Sequence, residues 1–124
     1  MNKIITPYAV MTVGGHDYRL KINTQAAIDA EKKLGYSVSR AWIEIDKVTV
    51  QTVIIWAALQ AFQSNMSFDD AVTLRDDFFA DGNNMDDLAE ILKEVYICSG
   101  FMKRAPALKE KDEEKAPEEE QPAN

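Results

Sequence analysis

The sequence predicts an α+β domain, mostly α, in which an N-terminal β-hairpin packs on a small bundle of three to five helices. Three observations carry this. Two apolar runs of strand character flank Gly14-Gly15, and apolar residues then recur at helical spacing in segments that open on capping residues. From Lys103 onward the composition turns polar, charged and proline-bearing. A chain of 124 residues suits one domain. Its 46% of hydrophobic residues is enough for a core rather than a wholly disordered polymer. The folded part is therefore assigned to 1–102 and a disordered charged tail to 103–124.

The hairpin comes first. From His16 to Ile22, apolar Tyr18, Leu20 and Ile22 alternate with Asp17, Arg19 and Lys21, the period of a half-buried strand. Tyr8 to Val13 precedes it. The two glycines between supply the positive φ that both central residues of a type I′ turn require. Pairing outward from that turn sets Met11 opposite Tyr18 and Ala9 opposite Leu20. Both pairs are apolar, so register and pattern agree.

Helices follow. Asn23 or Thr24 can accept a bond from an orphan amide of a first turn. Ala26, Ala27, Ile28, Ala30, Lys32 and Leu34 favour helix, and Gly35 stands where a left-handed cap is expected. The expected buried stripe is Ala27, Ala30 and Leu34, with Ile28 a further candidate. Ser37 to Val48, with Trp42, Ile43 and Ile45, reads equally as a short helix or an extended connector. From Thr49 or Val50 to about Ser64 the chain is apolar nearly all round, which places that helix at the centre of a bundle. Ser67 caps Phe68 to Phe79 and Asn84 caps Met85 to about Gly100. Asp69, Asp70, Asp86 and Asp87 sit in the first turns, favourably placed against the helix dipoles. In the last helix Leu88, Ile91, Leu92 and Val95 make a core stripe. The tail has Leu108 as its one large aliphatic residue and cannot offset chain entropy, so disorder is expected there.

Charge narrows the partners. The formal net charge is −7, and Asn65 to Glu94 holds nine acids against Arg75 and Lys93. Phosphate binding draws its affinity from clustered Lys and Arg. Nucleic acid and anionic membranes are therefore disfavoured, and a basic surface, or an apolar one with a basic rim, fits. No apolar stretch is long enough to span a bilayer, and the N-terminus lacks the pattern of a signal peptide. A soluble protein that stays where it is made is expected.

No catalytic grouping emerges, and neither a cofactor nor a metal is expected. His16 is the one histidine and reads as a solvated turn residue. Cys98 is the one cysteine, which rules out an internal disulfide and multi-cysteine zinc, and it reads as a buried thiol. Gly14-Gly15 is followed by neither GxGxxG nor a Walker lysine. Asp77 to Asn84 holds some calcium-ligating residue types but departs from the calcium-loop pattern, and caps plus a solvated face explain the acids. Phe78 and Phe79 are adjacent, hence about 100° apart on a helix. Either both are buried, or one turns outward and anchors a partner, since aromatics concentrate interface energy. Phe78, Phe79 and Trp42 are the candidate partner-binding residues.

Taken in order, YRLKINTQAAIDAEKKLG (Tyr18 to Gly35), TVIIWAALQAF (Thr52 to Phe62), MSFDDAVTLRDDFF (Met66 to Phe79) and MDDLAEILKEVYICSGF (Met85 to Phe101) resemble the tail assembly chaperones of long-tailed phages and prophages, especially those of Gram-positive hosts. The resemblance implies a non-enzymatic factor of the bacterial host cytoplasm. It would coat the tape measure protein, help recruit tail tube subunits and self-associate. Two rivals remain: an acidic DNA mimic that inhibits a basic nucleic-acid-binding protein, and a small enzyme built on His16 or Cys98.

Overall fold

The computed structural model describes residues 7–105. Two strands, β1 (Ala9–Val13) and β2 (His16–Leu20), form an antiparallel hairpin in which Met11 faces Tyr18 and Ala9 faces Leu20. Gly14 and Gly15 take φ of 59° and 80°, so the left-handed turn expected of the glycine pair is present. Along β1 the side chains of Ala9, Met11 and Val13 are buried while Val10 and Thr12 are exposed. One face of the hairpin therefore lies on the core.

Helix α1 (Thr24–Leu34) opens on Asn23, whose side chain accepts from the Ala26 amide at 2.9 Å, and closes on Gly35 at φ 85°. Its buried residues are Ala26 and Ala30. This corrects the expected stripe: Ala27 and Leu34 are only half-buried and Ile28 is exposed. Both sets satisfy helical spacing, and the neighbouring helix decided which of them faces inward.

The ambiguous segment resolves into a short helix, α2 (Val38–Ala41), capped by Ser37, then a run of turns to Lys47. Helix α3 (Val48–Leu59) is the hub, packing against α1, β2 and the two helices that follow. Every residue from Val50 to Leu59 is buried except half-buried Trp56. It ends at Leu59 rather than near Ser64, because glutamine side chains take over its last carbonyls. Gln60 Nε2 donates to the Trp56 and Met66 carbonyls, and Gln63 Nε2 to those of Leu59 and Arg19. Lys21 donates its backbone amide to the Ala58 carbonyl at 3.0 Å. The orphan groups of a helix end are thus met by the loop and by the residue leaving β2.

Helices α4 (Phe68–Ala80) and α5 (Met85–Cys98) each begin with a reciprocal capping box, Ser67 with Asp70 and Asn84 with Asp87. The expected core stripe of α5 holds: Leu88, Leu92 and Val95 are buried, joined by Tyr96, and Ile91 is half-buried. Two bonds fasten the far end of α5. The Tyr96 hydroxyl donates to the Val38 carbonyl at 2.6 Å, and Ser99 Oγ accepts from the Ile22 amide at 2.8 Å. Lys103 to Ala105 have no regular structure, and the disorder expected of the rest of the tail lies outside the described residues.

Candidate functional site

The N-terminal end of α3 is built differently from the rest of the molecule. Its N-cap, Lys47, offers no side-chain cap and instead pairs with Glu44 at 2.7 Å, which holds the Glu44 carboxyl below its ordinary range. Just inside lies Gln51, 4% exposed. Its Nε2 donates to the Ile45 carbonyl at 2.9 Å, fixing the preceding turn. Its Oε1 accepts from Arg75 Nε and Nη2 at 3.0 and 2.8 Å. The Arg75 guanidinium also lies 4.8 Å from the centre of the Phe79 ring, and Nη2 stands 3.6 Å from the Met85 sulfur. One buried amide therefore orients one arginine, and with it joins α3, α4 and α5.

On either side of this junction runs an apolar groove. The first, between α3 and α4, has a volume of about 280 Å³ and is lined by Val48, Thr52, Phe68, Val72 and Asp76. The second, between the turn before α3 and the start of α5, is about 210 Å³ and is lined by Ile45, Asp46, Met85, Asp86, Ala89 and Leu92. Arg75 borders the first groove and Gln51 the second. Val48 is 54% exposed, Val72 42% and Met85 44%, and on the adjoining turn Ile43 reaches 77%. Exposed apolar side chains scattered singly are ordinary; here they gather at one end of one helix. Asp46, Asp76 and Asp86 rim the grooves, and among the described residues none of the three is in an ion pair.

The three residues singled out from sequence do not meet here. Phe78 is 2% exposed, with Ala71 and Leu74 on the inner face of α4, and has no surface to offer a partner. Phe79 is half-buried, packs edge-on against Phe78 at 5.6 Å and lies beneath Arg75, which it helps to position. Trp42 is half-buried against the Tyr96 ring at 5.1 Å. Sequence reasoning passed over Ile45, Val48, Val72 and Met85. A signal was available: Val72 and Met85 are apolar residues outside the core stripes of their helices, and Ile43, Ile45 and Val48 crowd a segment with no clear period.

Other acids have structural partners. The Asp70 and Asp87 carboxylates accept the Ser67 and Asn84 backbone amides, and Asp81 accepts that of Gly14 at 2.7 Å. His16 is exposed and rests against Tyr18. Cys98 is half-buried with its thiol toward the Leu20 and Val95 carbonyls, and burial pushes its pKa up, so it stays a thiol near neutrality. Among the described residues no group of three or more His, Cys, Asp or Glu could hold a metal ion, and no helix is long and apolar enough to cross a membrane. No protein-family model, curated protein or solved structure matches the chain.

Proposed function

We propose that this chain is a phage tail assembly chaperone: a non-enzymatic protein of the bacterial host cytoplasm that binds the tape measure protein and helps recruit tail tube subunits. The observation that carries the reading is the acid-rimmed apolar face at the start of α3. A domain this small has little apolar area to leave uncovered, and exposed apolar side chains gathered on one face mark contact with another macromolecule. The grooves are shallow and paired, a form that suits the side chains of a helix better than it suits a small molecule held on all sides. The resemblance of the sequence segments, taken in order, to tail assembly chaperones is what points to the tape measure protein as the partner. A tape measure protein is long and helical, and hiding its apolar stripes until the tube grows around it calls for many copies of a small binder.

Co-expression tests this. A tape measure fragment that is insoluble alone is expected to become soluble and to copurify with this chain. A fragment equally insoluble in both cases would count against the proposal. A complex with a basic DNA-binding protein that dissolves steeply with salt, formed in place of the fragment complex, would favour the acidic-mimic reading instead.

A further inference from the structure

We propose that the two grooves flanking Arg75 act together as one docking surface for a basic amphipathic helix, whose apolar side chains enter the grooves while its Lys and Arg residues meet Asp46, Asp76 and Asp86. The partner's identity rests on the chaperone reading; the surface and its charge preference rest on geometry alone.

Charge complementarity selects the occupant. Among the described residues the three rim carboxylates are in no ion pair, and the cation that lines these grooves, Arg75, has its guanidinium turned toward the Gln51 amide and the Phe79 ring. The neighbouring Lys47 and Glu44 neutralise each other. An acidic or neutral helix would leave those carboxylates next to like charge or to apolar surface, whereas a basic one pairs them as it covers the floor. Apolar positions spaced three, four and seven residues apart on one helix face provide anchors for both grooves at once. Met85, unbranched and 44% exposed, suits a floor that must adapt to varied side chains. A second copy that met this face with its own would bring a second set of Asp46, Asp76 and Asp86 toward the same rim.

The test uses the full chain and two designed helical peptides of about 18 residues, each about 27 Å long. They share one apolar stripe and differ only in carrying Lys or Glu beside it. In fluorescence anisotropy at about 50 mM salt the Lys peptide is expected to bind about tenfold tighter or more, with the gap narrowing as salt rises. Asp76→Lys with Asp86→Lys should invert the preference, and Val72→Asp should weaken the Lys peptide about tenfold. Amide chemical-shift changes on the unaltered chain should gather in 45–52, 68–76 and 85–92, a readout that needs no variant to fold. Equal binding of the two peptides, an unchanged preference after charge reversal, or shifts gathered elsewhere would each overturn the proposal. So would loss of self-association in Val72→Asp with peptide binding intact, which assigns the face to a second copy. If a variant carrying all three substitutions still copurified with a tape measure fragment, the surface would be wrong and the chaperone reading would stand. If the unaltered chain bound the Lys peptide through the grooves yet rescued no fragment, the reverse would hold.

Discussion

The two ends of α3 are made of the same apolar helix and are finished in opposite ways. At the C-terminal end the last carbonyls are taken by Lys21, Gln60 and Gln63, and the Gln63 amide both donates to and accepts from Arg19, as a strand neighbour would. Close by, Ser99 ties the end of α5 to Ile22. At the N-terminal end there is no side-chain cap, Val48 is more than half exposed, and the space beside the helix is left as grooves. At the first end the helix carbonyls are sealed by side chains and by β2, and at the second Val48, Val72 and Met85 stay exposed beside the grooves. That openness is what the proposed docking of a partner would use.

Substitutions can break or sharpen this contrast, from the largest effect to the smallest. Ile54 is fully buried in the middle of α3, and Ile54→Ala should cost about 2–5 kcal/mol in denaturant unfolding through lost transfer energy and a residual cavity. A cost below about 1 kcal/mol would remove α3 from its role as hub. Tyr96→Phe should cost about 1–3 kcal/mol, because the Val38 carbonyl loses its buried donor. The same residue sets a pH dependence. Burial raises the Tyr96 pKa above the ordinary 10.0, so above that pH the unfolded chain ionises while the folded one still holds its proton. Stability is then fully present below pH 10 and declines as pH rises further, and the decline should be shallower in Tyr96→Phe.

Gln63→Ala should cost about 1–2 kcal/mol by opening the seal to β2, visible as faster hydrogen exchange at Arg19. At the other end, Val48→Ser and Val72→Ser should change stability by no more than about 0.5 kcal/mol while weakening helical-peptide binding severalfold. If instead they destabilised the fold as much as Gln63→Ala does, the open end would be a structural element and the contrast would fail.

Elements specified by neighbours along the chain are legible in the amino-acid order. Gly14-Gly15 set the turn and with it the register, since a slip of one residue would turn the apolar side chains outward. Asn23, Ser67 and Asn84 mark three helix starts through bonds that span three residues. The apolar run of Val50 to Leu59 declares a central helix because no face of it could rest in water. The candidate site is far less legible. Phe78 and Phe79 stand out as bulky neighbours, but one fills the core and the other lies under Arg75.

Sequence by itself determined where the hairpin turns, where three of the helices start and which helix lies innermost, because those outcomes depend on short-range bonds and on total hydrophobicity. Only the tertiary structure decided that α1 buries Ala26 rather than Ala27, that α3 stops at Leu59, and that Val48, Val72 and Met85 share one surface. Each of those depends on which distant group arrives: the helix facing α1, the Arg19 backbone reached by Gln63, and Arg75 reaching across to Gln51. A pattern read along one strand or helix counts the apolar residues but does not show which of them a neighbour will cover.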